Sequence, residues 1–188
     1  MRKNFGAKPC CYPEPVFIIA TYDENGNPDA MNAAWGGIAD DKLINICLSP
    51  EHKTVKNLLK SGAFTVSMAT EMYVAECDYV GIVSGNDVHD KFQRAGFHEI
   101  KSEFVNAPLI QELPMALECK VISYNSDTCQ LLGEIINVSA DESVLNEKGK
   151  VDPSKLKPII YDSFNHKYIG LGNIVGDAFC EGNKIKNK

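Results

Sequence analysis

The fold is decided by the stretch AMNAAWGGIADDKLINICLSPEHKTVKNLLKSGAFTVS, residues 30–67. It contains apolar, β-type runs separated by a polar turn and by one short amphipathic segment. Apolar residues recur at helical spacing over Thr54–Lys60, where Pro50 fits the first turn of a helix and Gly62 fits its left-handed end. The strands predicted in this stretch are Asp29–Ile38, Lys42–Leu48 and Ala63–Ala69.

Strands dominate on both sides of this stretch as well. A strand over Val16–Thr21 precedes it, and Asn25-Gly26 predicts a type I′ hairpin turn between the first two strands. Two helices, Glu71–Ser84 and Asp87–Ala95, are predicted to follow. The remaining predicted strands are His98–Phe104, Ala116–Ser123, Cys129–Ser139 and Lys157–Tyr161. Because the strands do not alternate with long helices, the sequence predicts a mainly β fold, an antiparallel barrel with a few short helices packed outside it.

Size and charge limit the function classes. For 188 residues we expect one domain over 1–188, with an extended arm at residues 1–14 and a basic, disordered end at residues 183–188. A net charge of −6 argues against a nucleic-acid partner, because polyphosphate binding needs a basic face. No apolar run reaches the ~20 residues of a membrane helix, and no secretory leader is recognisable, so we expect a cytoplasmic protein without membrane contact.

Neither a metal site nor a disulfide framework is expected. The seven cysteines are odd in number and irregularly spaced, and the histidines lack zinc-ligand spacing. We interpret the cysteines as free thiols in a reducing compartment. The segment Gly170–Gly176 resembles a dinucleotide-binding fingerprint, but its third glycine comes one residue too late and no βαβ unit follows it.

The segment Ser49–Thr54 (SPEHKT) is typical of an anion site. The first N–H groups of a helix lack partners and carry partial positive charge, so a phosphate binds there readily. Ser49 would cap the helix, and His52, Lys53 and Thr54 would close around the anion. A plain capped surface helix with exposed basic residues is the alternative interpretation of the same six residues.

The segment Met31–Trp35 is typical of a wall for a flat ring, because its small residues allow close approach of the backbone. Asn32, with backbone groups near Ala33 and Leu48, would supply hydrogen bonds to the edge of the ring. The alternative is that the tryptophan fills the core and that Gly36-Gly37 forms a bulge.

A flat ring and a phosphate together outline flavin mononucleotide, FMN. Ser84–Phe92 predicts a turn into a short helix that carries Lys91, whose cation would stabilise the reduced flavin near its N1 atom. A solvated lysine beside an aspartate is the alternative. The flavin itself supplies the redox chemistry, so no catalytic acid or nucleophile of the chain is required.

Taken together, these pieces resemble the flavoredoxin group of the flavin-reductase-like, FMN-binding split-barrel family. Each match is short, but the set runs nearly end to end and in order. The matching segments are Phe5–Pro9, Pro15-Val16, Thr21–Gly26, Asn32–Gly37, Phe64–Ser67, Asp78–Gly81, Ser84-Gly85, Asp90–Phe92, Ala107-Pro108, Leu117–Lys120, Gly133-Glu134 and Asp141-Glu142. The resemblance implies a split antiparallel β-barrel, a homodimer, and FMN bound near the dimer interface.

Roles for individual residues follow from the resemblance and the motifs together. Residues 31–35 and the backbone of residues 47–49 would border the ring, and residues 52–54 would hold the phosphate. Ser67 and Met68 would contact the ribityl chain or the phosphate. Lys91 and Phe92 would close one side. The predicted cofactor-binding residues are Met31, Asn32, Ala33, Ala34, Trp35, Cys47, Leu48, Ser49, His52, Lys53, Thr54, Ser67, Met68, Lys91 and Phe92.

Two further expectations concern the phosphate and the partner subunit. The family often has arginine where this chain has His52, and a neutral imidazole offers one donor without permanent charge. Phosphate affinity would therefore be weaker or pH-dependent. In a homodimer, Tyr161, Phe164 and Tyr168 would cap the flavin of the partner subunit.

The expected function is that of an FMN-binding oxidoreductase, a flavoredoxin or NAD(P)H:flavin reductase. NADH, NADPH or a redox protein would reduce the flavin, which would pass electrons to an acceptor. The alternatives are a non-catalytic flavin-binding or electron-carrier module and an enzyme similar to pyridoxamine-phosphate oxidase.

Overall fold

The computed structural model describes residues 1–186, which form one large sheet, two small sheets and a few short helices. The strands are β1 (Glu14–Pro15), β2 (Phe17–Tyr22), β3 (Pro28–Ala33), β4 (Gly36–Asp40), β5 (Leu43–Cys47), β6 (Ala63–Met68), β7 (Glu99–Lys101), β8 (Pro108–Ile110), β9 (Met115–Asn125), β10 (Gln130–Ala140), β11 (Ile159–Asp162) and β12 (Lys167–Gly170). The helices are α1 (Lys53–Ser61), α2 (Val74–Ile82), α3 (Lys91–Arg94), α4 (Pro153–Leu156) and α5 (Asn183–Lys186), with 3₁₀ turns at Glu71–Tyr73 and Glu142–Val144. The mainly β expectation is confirmed.

The large sheet curls into a half-barrel. Its seven strands pair antiparallel in the order β3-β2-β6-β9-β10-β5-β4, so the two edge strands are neighbours in the chain. In a flat sheet, six spacings of ~4.8 Å would separate these edges by roughly 29 Å. The link from Ala33 to Gly36 spans at most roughly 11 Å. The sheet must therefore curl until its edges meet at Ala34 and Trp35.

This crossing corrects the prediction of one strand over Asp29–Ile38. The first half of that segment pairs with β2 at one edge, and the second half pairs with β5 at the other edge. Gly36 lets the chain come close to β5, because a Cβ there would lie 2.9 Å from the carbonyl oxygen of Asn45. A run of apolar residues cannot reveal that its two halves have different partners.

The interior of the half-barrel is a single apolar cluster that includes the inner face of α1. Phe64 is completely buried in it. A Cβ on Gly133 would lie 2.5 Å from the Cζ atom of Phe64, so the glycine makes room for the ring. The core thus explains a glycine in the interior of β10, where a residue without a side chain otherwise weakens a strand.

A second apolar cluster lies outside the sheet. It joins the outer face of β2, represented by Ile18 and Ala20, to Val80 of α2 and to Phe92 and Phe97. The aromatic rings of Phe92 and Phe97 meet edge to face, with their centroids 5.8 Å apart. This packing fixes α2 beside β3, where it forms one wall of the candidate site.

The first hairpin differs from the predicted type I′ turn. Only Gly26 has a positive φ, of 82°, and its N–H donates to the Asp23 carbonyl at 3.1 Å. Asp23 Oδ1 also accepts the N–H groups of Asn25 at 2.8 Å and Asn27 at 2.9 Å. The carboxylate thereby stabilises a longer loop with one left-handed residue.

The remaining differences concern short elements. Strands β1, β8 and β12 and the short helix α4 were not predicted, and the helix expected over Asp87–Ala95 is the single turn α3. The basic end expected to be disordered contains the helical turn α5, while residues 187 and 188 lie outside the described residues. Among residues 1–186, no helix has the length and apolar character needed to cross a membrane.

Candidate functional site

A cavity of about 530 Å³ opens where the two edges of the half-barrel meet, and we call it the edge cavity. Its walls come from the end of β3, the β3–β4 link, the end of β5, the residues before α1, one face of α2, and single residues of the β9–β10 loop and β12. The lining residues are Met31, Asn32, Ala33, Ala34, Trp35, Cys47, Leu48, Ser49, His52, Asp78, Gly81, Ile82, Cys129 and Tyr168.

The floor of the edge cavity is held rigidly by β3. Met31 and Ala33 are buried in the main apolar cluster, and their intervening neighbour Asn32 faces α2. Asn32 Nδ2 donates to the Cys77 carbonyl at 3.1 Å. A Cβ on Gly81 would lie 2.8 Å from that of Asn32, so only a glycine lets α2 approach this closely. The wall and the floor are therefore fixed relative to each other.

Trp35 lies at the mouth of the cavity and not in the core. Its side chain is 54% exposed, which excludes the core-filling alternative considered from the sequence. The reason is the crossing between the two sheet edges, which removes this residue from both pleats. The N–H groups of Ala34 and Trp35 have no acceptor within residues 1–186, so these two donors remain free to meet a ligand.

The end of β5 uses its backbone differently from what the resemblance implies. The N–H of Cys47 donates to the Trp35 carbonyl at 2.8 Å, and the N–H of Leu48 donates to the Cys129 carbonyl at 2.7 Å. The hydroxyl of Tyr124 donates to the Leu48 carbonyl at 2.7 Å. These groups already have partners inside the protein, so Cys47 and Leu48 shape the cavity by their position and not by free backbone donors.

The N-cap residue of α1, His52, lines one end of the edge cavity. His52 occupies the N-cap position, its side chain makes no capping hydrogen bond, and its carbonyl accepts the N–H groups of Val55 and Lys56. The N–H groups of Lys53 and Thr54 have no acceptor in the described part of the chain. Unpaired N–H groups at a helix N-terminus, together with the helix dipole, form an anion site.

His52 is a neutral donor at this end of the cavity. Partial burial lowers the pKa of its imidazole, and the nearby charge of Lys91 lowers it further. At neutral pH the imidazole therefore offers one N–H and no full charge. Ser49 does not cap the helix as predicted; its hydroxyl donates to the carboxylate of Glu51 instead.

A buried ion pair lies close to the start of α1, outside the lining of the edge cavity. Lys91 Nζ is 3.5 Å from Asp29 Oδ1 and donates to the carbonyls of Val80 at 3.3 Å and Val83 at 3.2 Å. Thr54 Oγ1 donates to Asp29 Oδ2 at 2.5 Å. Burial lowers the pKa of Lys91, although Asp29 opposes the shift. Lys91 and Thr54 thus serve this network and do not line the edge cavity.

Four other predicted residues also lie elsewhere. Lys53 lines a separate cavity beside Asp23 and Gly85. Ser67 is fully buried in β6, and its hydroxyl has no partner within residues 1–186. Met68 packs against the main core, and Phe92 is part of the second core. Lys53 was predicted from the helix-start motif and the other three from the family resemblance, but alternation or packing turns each side chain away.

The sequence motifs did not predict one polar part of the cavity wall, formed by Asp78 and Tyr168. Tyr168 Oη donates to Asp78 Oδ1 at 2.6 Å, which ties β12 to α2. Burial, and then this hydrogen bond, raises the pKa of Tyr168. Asp78 lies in a segment that contributes to the resemblance, but nothing in the sequence assigned it a role. Tyr168 was expected to cap the flavin of a partner subunit, and here it lines the cavity of its own chain.

The other two aromatic residues of that expectation lie outside the edge cavity. The Tyr161 ring packs 6.2 Å from the Tyr168 ring, and the Phe164 ring lies 5.5 Å from that of Phe5 in the N-terminal arm. The arm is therefore held by an aromatic contact, and the Tyr161 ring supports Tyr168 from behind.

The edge cavity fits FMN on three counts. Its volume lies within the ~300–1,000 Å³ of small-molecule sites. One end places His52, at the start of α1, where it can donate to an anion, and the unpaired N–H groups of Lys53 and Thr54 follow it directly in the chain. The wall between Met31 and Trp35 combines an apolar floor with two free backbone donors, which matches a flat ring with acceptors along its edge.

Comparisons with known proteins agree with this geometry. A sequence model of the flavin reductase like domain matches residues 10–166. The structure of flavoredoxin from Desulfovibrio vulgaris (Miyazaki F) superposes with a TM-score of 0.92 at 38% identity, over 97% of this chain and 100% of that chain.

Two further solved structures have the same fold. Flavoredoxin from Methanosarcina acetivorans gives a TM-score of 0.86 at 25% identity, with 98% of both chains covered. An FMN-binding domain of a flavin reductase-like enzyme from Shewanella baltica gives 0.78 at 20% identity, over 87% of this chain and 89% of that chain. The half-barrel is thus a split barrel, and the chain belongs to the family of flavin reductase like domains.

Proposed function

We propose that the chain binds FMN in the edge cavity and uses it as an oxidoreductase. The observation that carries the proposal is that one cavity combines a free helix N-terminus with an apolar floor and unpaired edge donors. Its similarity to flavoredoxins and to an FMN-binding domain supports the same cofactor. When bound, FMN would supply the two-electron chemistry.

The phosphate would sit at the start of α1. The N–H groups of Lys53 and Thr54 and the imidazole of His52 would donate to its oxygens. Lys91 would contribute from behind, because a buried cation lowers the energy of an anion without touching it. The ring would lie against Met31–Trp35, with the N–H groups of Ala34 and Trp35 at its edge.

The chain's own part in the reaction would be binding and orientation. Hydride transfer needs the donor carbon within ~3–3.5 Å of the acceptor atom, with one face of the ring open. The exposed side chain of Trp35 stands at the mouth of the cavity, where a donor would enter. No acid or base of the chain is needed to move a proton in this step.

We propose a reduced nicotinamide or a redox protein as the electron donor. Flavin reductase activity requires that NADH or NADPH enter beside the ring, whereas a carrier would take electrons from a protein. Mixing FMN-loaded protein with each nucleotide in a stopped-flow instrument separates the two. Rapid loss of flavin absorbance near 450 nm supports a reductase. No bleaching with either nucleotide would overturn reductase activity and leave an electron carrier.

We also propose that the protein is a homodimer. Several apolar side chains of the large sheet are at least one-third exposed, which leaves apolar surface available to a second copy of the chain. They are Ile38 of β4, Ile122 of β9, and Ile136 and Val138 of β10. Light scattering after gel filtration measures the mass directly, and a mass near the 20.7 kDa of one chain would contradict the proposal.

A further inference from the structure

Two thiols meet at the wall of the edge cavity. Cys47 ends β5, and Cys129 is the last residue of the β9–β10 loop; both line the cavity and both are partly exposed. Cys77 and Cys119 are completely buried in apolar surroundings. The remaining cysteines at positions 10, 11 and 180 lie outside the barrel, in the N-terminal arm and the C-terminal segment.

The register of β5 and β10 brings these two residues together. Cys47 is opposite Gln130, and the N–H of Leu48 donates to the Cys129 carbonyl at 2.7 Å. Cys47 and Cys129 are therefore diagonal neighbours. With ~5 Å between strands and ~3.4 Å along each strand, their Cα atoms are roughly 6 Å apart. This value falls within the ~4.4–6.8 Å that a disulfide requires.

The backbone of Cys129 explains how both side chains reach the same cavity. In regular strands, diagonal neighbours point to opposite faces of the sheet. Cys129 has a φ of 58°, in the left-handed region, which takes its side chain out of that alternation. Glycine or asparagine is the usual residue at such a loop position. The hairpin alone therefore does not account for a cysteine there.

Cys129 also acts on Cys47 electrostatically. Burial raises the pKa of Cys47, and the neighbouring Cys129 raises it further. Because the thiolate is the attacking species in thiol exchange, Cys47 is suited to the second, resolving step. Cys129, at the loop, is suited to the first step.

We propose that Cys47 and Cys129 form a redox-active pair that low-molecular-weight disulfides, such as glutathione disulfide, oxidise to an intramolecular disulfide. The Cys129 thiolate attacks one sulfur of the small disulfide, forming a mixed disulfide and releasing one thiol. The Cys47 thiolate then attacks the Cys129 sulfur and releases the second thiol. Overall, two protein thiols and one small disulfide give one protein disulfide and two small thiols, so atoms and electrons balance.

Oxidation would change the edge cavity directly. The new bond joins the end of β5 to the β9–β10 loop, next to Leu48 and beside Trp35, whose carbonyl accepts the Cys47 N–H. It removes two thiol hydrogens from the wall and fixes the loop against the strand. The inference goes beyond the proposed function, because it concerns a reaction of the chain itself and needs no bound flavin.

The test uses the full chain with the substitutions Cys10→Ser, Cys11→Ser and Cys180→Ser, which leave the barrel untouched. The protein is equilibrated in glutathione buffers of increasing oxidised fraction, alkylated, digested and mapped by mass spectrometry. We expect a cross-linked peptide pair containing Cys47 and Cys129 that increases with the oxidised fraction and disappears in excess reduced glutathione. Cys77 and Cys119 should stay unmodified until the protein is unfolded.

Single variants give the matched controls. Cys47→Ser should retain a glutathione adduct on Cys129, because the resolving thiol is missing, whereas Cys129→Ser should accumulate little adduct. Circular dichroism establishes that each variant is folded. If both cysteines of the parent protein are alkylated separately at every buffer ratio, or carry separate adducts, the proposal is overturned.

A second measurement separates this proposal from the FMN proposal. FMN titrations of the reduced and oxidised protein should give dissociation constants that differ at least threefold, while Cys47→Ser shows no response to glutathione disulfide. Failure of FMN to bind in both states would contradict the proposed function. The peptide map would still decide the thiol pair by itself.

Discussion

The hydroxyl of Tyr168 donates to Asp78 Oδ1 at 2.6 Å, and this bond connects β12, the last strand of the chain, to α2 across the wall of the edge cavity. The two residues are 90 positions apart in sequence. Because β12 is a short strand outside the large sheet, this bond is one of the contacts that hold the C-terminal hairpin against the site.

Tyr168→Phe should lower the free energy of unfolding by about 1 kcal/mol at pH 8, the usual contribution of one hydrogen bond. Burial, and then the Asp78 carboxylate, raises the pKa of Tyr168 above its unfolded value. Its stabilising contribution is therefore complete below the unfolded pKa of ~10 and is lost as the pH rises above it. Urea unfolding of both proteins at several pH values measures the effect.

Tyr161→Phe serves as the control, since it keeps the ring that packs against Tyr168 and loses only an exposed hydrogen bond to His166. Wild type should lose stability more steeply than Tyr168→Phe above pH 10. Equal slopes for the two proteins would show that the phenol is not held in its neutral form.

His52→Ala should weaken FMN binding three- to tenfold, equivalent to roughly 0.7–1.4 kcal/mol, while riboflavin binding changes little. The reason is that His52 faces the edge cavity at the free N-terminus of α1 and riboflavin lacks the phosphate. His52→Arg should tighten FMN binding, because a guanidinium adds a permanent charge and a second donor. Fluorescence titration with both ligands checks this.

The pH dependence follows from the same residue. Burial lowers the pKa of His52 from its ordinary value of about 6.5, so wild-type affinity for FMN should increase only as the pH falls below about 6.5 and the imidazole gains charge. His52→Ala should lack this increase. Lys53→Ala is the matched control, since Lys53 lines a different cavity; a larger loss for Lys53→Ala than for His52→Ala would place the phosphate elsewhere.

Trp35 should report directly on the ring. It is the only tryptophan of the chain and lies half-exposed at the mouth of the edge cavity. FMN and riboflavin should both quench its emission, because both carry the ring, whereas inorganic phosphate should not. Unchanged emission at saturating FMN would mean that the ring does not lie against this segment.

Lys91→Ala should lower the free energy of unfolding by about 3 kcal/mol, because it leaves the buried carboxylate of Asp29 without its cation. Both side chains are more than nine-tenths buried. The double variant Lys91→Met with Asp29→Asn should recover part of this loss, since it removes both charges together. Urea unfolding measures all three proteins.

Lys56→Ala provides the reference for that series, because Lys56 is exposed and donates only to Asn86. If Lys91→Ala and Lys56→Ala destabilise the protein equally, the buried pair does not have the role described here.

The sequence was most informative where one local pattern determines one contact. The apolar runs of β2, β5 and β6 and the spacing in α1 predicted strands and a helix in the right places, because each of these elements contributes residues to the same core. The start of α1 with its unpaired N–H groups was predictable for the same reason, since the first turn of a helix is a local feature. Nine of the fifteen predicted site residues line the edge cavity.

The sequence was least informative where distant elements compete for a side chain. Lys91 is attracted to Asp29 and to the carbonyls at the end of α2, which lie 62 and about ten positions away. Cys129 reaches the cavity through a left-handed backbone that no hydrophobic pattern encodes. Tyr168 contributes only after β12 has formed beside β11.

The two-residue link at Ala34 and Trp35 couples ligand binding in the edge cavity to the rigidity of the half-barrel. At this link the ends of the two edge strands, β3 and β4, come close together. Five other strands separate them along the sheet, and they do not pair with each other. A ligand bound in the edge cavity at this link would contact both edge strands at once. The amide protons at the ends of β3 and β4 should then exchange more slowly together, so slower hydrogen exchange at both edges of the half-barrel would report ligand binding.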